Sequence, residues 1–187
     1  NSATTQIAYA PEAWGVAAAY TYASGAEGGG ALYSGNGTNE AVLASLSGNT
    51  NSFGLSAWWT PEESGLIPSI STGWGLTNID DSNVAGVKSA TSQSWYVGLE
   101  WDDVLLEGNS FGMAFGQPTF ITHLDTKKGV DDSVNGAGYA WEFFYKFQVT
   151  DNITVTPALH YLSKPFAAQD SDGLNALSGL IKTTFKF

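Results

Sequence analysis

From Tyr139 to Leu162 the chain reads YAWEFFYKFQVTDNITVTPALHYL, two runs in which every second residue is apolar. Tyr139, Trp141, Phe143, Tyr145, Phe147 and Val149 share one parity, and Ala140, Glu142, Phe144, Lys146 and Gln148 share the other. A period of two belongs to a β-strand, whose successive side chains point to opposite faces. Beyond Thr150-Asp151-Asn152, the set Ile153, Val155, Pro157, Leu159 and Tyr161 alternates with Thr154, Thr156, Ala158 and His160. Two such runs joined so tightly predict a hairpin. Each is about ten residues long, enough to cross a bilayer at a tilt, whereas strands of soluble sheets average about five or six.

The pattern recurs along the chain and predicts nine strands. The first seven apolar sets are Ile7 with Tyr9; Trp14 to Tyr22; Phe53 to Trp59; Ile70 to Leu76; Trp95 to Trp101; Phe111 to Phe115; and the run from Tyr139. The eighth set starts at Ile153, and the ninth takes in Leu177, Ile181, Thr183, Phe185 and Phe187. Short connections at 11–13, 61–66, 103–109 and 150–152 alternate with long ones at 23–50, 78–92, 119–138 and 163–173. That asymmetry is the mark of an outer-membrane barrel, with the short turns in the periplasm. The expected fold is all-β: a transmembrane antiparallel up-and-down β-barrel. A ninth strand that ends on the short-turn side implies a first strand that starts outside. Such a set cannot close, because a bilayer admits no open sheet edge. Residues 1–187 are therefore expected to be the C-terminal part of a barrel whose N-terminal strands lie elsewhere. Pro157, in mid-strand, predicts a bulge.

Composition sharpens this reading. Mean hydropathy is −0.08, and no apolar run approaches the length of a membrane helix, but a barrel hides its membrane signal in alternation. Aromatic content is 13%, with seven Trp. Trp14, Trp59, Trp101 and Tyr161 lie near the ends of apolar runs and are expected to form a girdle at the membrane interface. Net charge is −11 and Arg is absent, which argues against nucleic acid as a partner. There is no Cys, so no disulfide or thiolate site can form. Asn1 opens no signal peptide, as in a mature or truncated form.

The C-terminal stretch GLIKTTFKF alternates and ends on an aromatic, with Phe185 and Phe187 as the candidate signal read by the barrel assembly machinery. Together with WEFFYKFQVTDNITVTPALHYLSKP it resembles the OprB-type carbohydrate-selective porins, and their cyanobacterial members most. Lys182 stands where that pattern has Arg. The resemblance implies a cyanobacterial-type outer-membrane barrel of about sixteen strands, often a homotrimer, through which small solutes move down their gradient. It also implies a surface-layer-homology segment ahead of the barrel.

The parity opposite the aromatics is the candidate lumen. It carries Glu100, Glu142, Lys146, His160 and Lys182 as pore-lining candidates, among small residues such as Gly15, Ser56, Ser71, Gly73, Gly98, Gly112 and Ser178, which are expected to leave the lumen open or to make room for a loop folded into it. Segment 35–47 has helical spacing at Val42, Leu43 and Leu46 and is expected either to constrict the pore or to pack outside it, on a neighbouring subunit or over the mouth. Acidic residues gather in the long loops, among them Glu27, Glu40, Asp80, Asp81, Asp125, Asp131, Asp132, Asp170 and Asp172. They are expected to be solvated; an acidic mouth concentrates cations, but the narrowest point of the lumen sets the preference. His123 is expected in a loop. Neither histidine has a nucleophile motif or paired-ligand spacing beside it, so no catalytic residue, metal or cofactor is expected. The leading expectation is a passive channel for small hydrophilic solutes and ions. Two other readings are a structural anchor to peptidoglycan and a soluble β-sandwich that binds sugars.

Overall fold

A computed structural model describes residues 2–24, 48–63, 65–80, 86–127, 138–164 and 174–186. They form nine strands: β1 (Ser2–Tyr9), β2 (Trp14–Ala23), β3 (Asn49–Trp59), β4 (Ser69–Asp80), β5 (Val87–Asp102), β6 (Ser110–Thr126), β7 (Ala140–Thr150), β8 (Ile153–Ser163) and β9 (Asn175–Phe185). All nine pair antiparallel in sequence order as a single up-and-down sheet that does not close on itself, β1 and β9 being its edges. No second layer packs on it among the described residues. Expected segment 35–47 and Phe187 lie outside the described residues.

One row of paired residues runs through the whole sheet: Tyr9, Val16, Ala57, Thr72, Val97, Phe115, Trp141, Tyr161 and Leu177. It leaves β1 at its last residue and crosses β9 eight residues short of Phe185. The strands thus slip by about one residue per neighbour. A slip of ~3.3 Å along the strand for every ~4.8 Å across the sheet corresponds to a tilt of about 35°, the inclination of membrane barrels.

The burial pattern is inverted relative to a soluble domain. The buried apolar side chains are Ala23, Ile79, Ala90, Ile121 and Ala158, whereas Trp14, Val16, Phe53, Leu55, Trp74, Val97, Trp141, Phe143, Leu159 and Leu177 are exposed on one face. Apolar surface this extensive calls for a non-aqueous neighbour. The opposite face is built mainly of small and polar residues, with a few rings among them and a small buried cluster of Ile79, Ala90 and Ile121.

Three expectations need correction. β5 and β6 run to 16 and 17 residues, so the connection between β4 and β5 spans only six residues, fewer than the nine between β3 and β4. Asp80, His123 and Asp125, expected in loops, are strand residues, as is Lys88, whose Nζ lies 3.6 Å from Asp125 Oδ1. The ladder continues there because backbone pairing does not require apolar side chains beyond the lipid, so polarity gave no sign of it. Pro157 makes no bulge. It pairs with Ile181 on β9, and on the β7 side the ladder breaks between the pairs Phe144–Ala158 and Phe147–Val155 while the register stays in step. A missing N–H removes a bond without inserting a residue. The other in-strand proline, Pro118, does sit at an irregularity, where the β5–β6 register shifts between Gln93 and Trp95.

Candidate functional site

The small-and-polar face gathers every charged residue expected to line a channel. A cross-strand row carries Trp58, Ser71, Gly98, Ala114, Glu142, His160 and Ser178. Directly opposed residues share a face in an antiparallel pair, so Glu142 and His160 meet, with Oε2 and Nδ1 3.6 Å apart and both side chains partly exposed. The two-residue turn pairs Thr150 with Ile153, and the register shift between Gln148 and Thr150 then brings Glu142 opposite His160. The next row toward the short turns holds Ser69, Glu100, Gly112, Phe144, Ala158 and Leu180. Glu100 there accepts a hydrogen bond from Ser110 Oγ at 2.8 Å.

Lys146 lies opposite Ser110, and Lys182 lies opposite Thr156. Neither lysine has an ion-pair partner among the described residues. The lysines and Glu100 thus lie nearer the short turns, and the Glu142–His160 pair lies farther toward the long loops. Among the described residues no group of three His, Cys, Asp or Glu side chains could hold a metal, and exposed His123 pairs in register with Thr91 on the aromatic face.

The small residues do not leave this face bare. Gly15 is paired with Trp58, Gly73 with Tyr96 and Gly112 with Phe144. A Cβ at any of these glycines would collide with its partner's ring, so the ring lies over the neighbouring strand. Glycine is used here because nothing larger fits under the aromatic. Trp58 and Tyr96 remain 39% and 45% exposed, which makes them accessible platforms on a polar wall. The alternation in the sequence conceals them, because each stands beside an outward aromatic or apolar residue; the opposed glycine was the available signal.

Two hollows are cut into the sheet. One of about 970 Å³ takes in Ser56, Gly73, Tyr96, Glu142, His160 and Ser178. Another of about 240 Å³ is lined by Thr21, Ser52, Gly54, Thr77, Ser92 and Ser94. Beside it hydroxyls pair across strands, Thr4 with Thr21 at 3.0 Å and Ser52 with Thr77 at 2.9 Å. This wall offers hydroxyls, the carboxylates of Glu100 and Glu142, the imidazole of His160, the amines of Lys146 and Lys182, and ring faces.

The aromatic face carries all four expected girdle residues. Trp14 pairs with Trp59, and Trp101 packs on Phe111 with ring centroids 5.8 Å apart, all at the short-turn end. Tyr161, toward the long loops, donates to Asn175 Oδ1 at 2.8 Å. Three more residues join it there: Tyr20 donates to Asn51 Oδ1, Trp74 Nε1 to Gln93 Oε1 and Trp95 Nε1 to Gln117 Oε1. An amphipathic ring whose polar tip finds a partner is the ordinary occupant of a membrane interface. Between the two ends Phe115 stacks with Tyr139 and Trp141 at 5.4 and 4.1 Å.

A family model described as carbohydrate-selective porin, OprB family, matches residues 5–187. An uncharacterized protein of Nostoc is 32% identical over 188 residues, covering 92% of this chain and 29% of the relative. An uncharacterized protein of Synechocystis is 32% identical over 130 residues, covering 66% of this chain and 23% of the relative. The chain thus spans less than a third of the length of the curated relatives it matches. No solved structure matches it.

Proposed function

Because the chain belongs to the OprB family of carbohydrate-selective porins, a family of outer-membrane channels rather than of enzymes, we propose that it forms more than half the wall of a diffusion channel for small hydrophilic solutes, sugars foremost. The observation that carries this reading is the division of one sheet into an exposed aromatic face and a small, polar face. The aromatic face meets lipid and the polar face lines water. Glu100, Glu142, Lys146, His160 and Lys182 line the lumen, and exposed rings at Trp58 and Tyr96 give a sugar a flat apolar surface beside hydrogen-bonding groups. Passage is passive, set by lumen width and lining charge.

The edges of β1 and β9 supply the second part of the proposal. Their unpaired backbone groups would cost several kcal/mol each in a bilayer. Strands from the N-terminal side of the full-length protein pair with both and close a barrel of about sixteen. The short turns and the C-terminus face the periplasm, and Phe185 and Phe187 serve the barrel assembly machinery. The family likeness favours a trimer. Proteoliposome swelling tests the reading: vesicles holding the full-length protein swell in isotonic sugar at rates that fall as the sugar grows. Folded protein that leaves vesicles impermeable to the smallest sugars would overturn it.

A further inference from the structure

Two of the short turns carry apolar side chains that no strand or core uses. Leu66 and Ile67, between β3 and β4, are 96% and 62% exposed, and Leu105 and Leu106, between β5 and β6, are 87% and 67% exposed. Both turns sit near the middle of the sheet, away from the open edges at β1 and β9, so strands added at those edges would not cover them.

A separate observation says which way they lie. Trp101, on the aromatic face, donates its indole N–H to the carbonyl of Leu66 at 3.0 Å. Tyr145, on the same face, donates its hydroxyl to the carbonyl of Val104, immediately before Leu105. Each turn is thus tied by a ring of the aromatic face at the residue next to, or belonging to, its exposed apolar pair. Trp101 also packs on Phe111, its pairing partner at the end of β5 and β6 that enters the second turn. Glu62, Glu63, Asp103 and Glu107 are exposed in the same turns and supply a wet side.

We propose that these two turns form a foot that sinks into the lipid leaflet on the short-turn side, with Leu66, Ile67, Leu105 and Leu106 among acyl chains and the carboxylates at the headgroups. A turn with an apolar edge, a polar edge and an interfacial Trp at its base has the makings of an interfacial anchor. The flanking charges are acidic, so the attraction is apolar and needs no anionic lipid. The proposal rests on the aromatic face meeting lipid, but not on which leaflet the short turns reach.

The test places an environment-sensitive label at Leu66→Cys, Leu105→Cys, Glu62→Cys and Glu107→Cys, one at a time, in the full-length protein with any other cysteine replaced. The protein is refolded into phosphatidylcholine vesicles open to quencher on both sides. Labels at Leu66 and Leu105 are expected to emit to the blue, to be quenched by acyl-chain nitroxide lipid, and to show a several-fold lower iodide quenching constant than those at Glu62 and Glu107. Equal iodide quenching at all four sites would overturn the foot. So would labels at Leu66 and Leu105 shielded from both quenchers, which would mean that protein covers the turns. A label at Val97→Cys, in the middle of the aromatic face, keeps the outcomes apart: if it too escapes nitroxide, the lipid-facing assignment itself fails.

Discussion

Glu142 and His160 stand directly opposite one another on β7 and β8, with Oε2 and Nδ1 3.6 Å apart on the polar face. The pair joins a carboxylate to a group that carries a charge only when protonated. Glu142→Gln is therefore expected to lower the cation-over-anion permeability ratio. The change should be about two- to threefold, the weight of a partly solvated charge worth up to about 0.6 kcal/mol. Lys182→Gln should shift the ratio the other way. Reversal potentials under a salt gradient measure both.

Gly112 lies under the ring of Phe144, with no room for a Cβ. Gly112→Val is expected to cost about 1–3 kcal/mol by overpacking, and Phe144→Ala in the same chain should recover most of it. Denaturant titration of refolding into vesicles gives the cycle. If the two substitutions simply add, the ring does not depend on the glycine.

Val97 and Ser178 test the two faces. Val97 lies on the aromatic face, in the row that includes Phe115 and Trp141, and Val97→Arg should destabilise the barrel by about 2–4 kcal/mol if it sits near the bilayer midplane. Ser178, opposite His160 on the polar face, should accept Arg with little loss of stability. The same refolding titration reads both variants.

Pro157 interrupts the β7–β8 ladder without changing its register. Restoring an N–H with Pro157→Val should therefore stabilise the barrel by about 1 kcal/mol, one hydrogen bond's net contribution. A loss of stability would show that the proline's fixed backbone angle matters more than the missing donor.

All nine strands and both faces were legible in the sequence because alternation with aromatic residues is strong wherever a strand crosses lipid. The meeting of Glu142 with His160 was not legible from the Asp151-Asn152 turn alone, because the register shifts by one residue between Gln148 and Thr150. The outer ends of β5 and β6 were not legible, since Ser89, Thr91, His123 and Asp125 lie where neither face must be apolar. Phe144 was read on the polar parity but without its meaning, while Trp58 and Tyr96 were hidden beside Trp59 and Val97. Their role depends on which glycine faces them across the sheet, and register between strands far apart in sequence depends on the strand tilt. Leu66 and Leu105 looked like ordinary turn residues until Trp101 and Tyr145 were seen to hold their turns.

The central claim, that the polar face lines a water-filled conduit, is tested most directly by conductance. Single cysteines at Ser178 and Leu159, placed in the full-length protein with any other cysteine replaced, are treated with a cationic thiol reagent during planar-bilayer recording. The account predicts ohmic steps that change size when the reagent reaches Ser178→Cys and stay unchanged for Leu159→Cys. Folded protein without conductance, or channels altered only through Leu159→Cys, would contradict it.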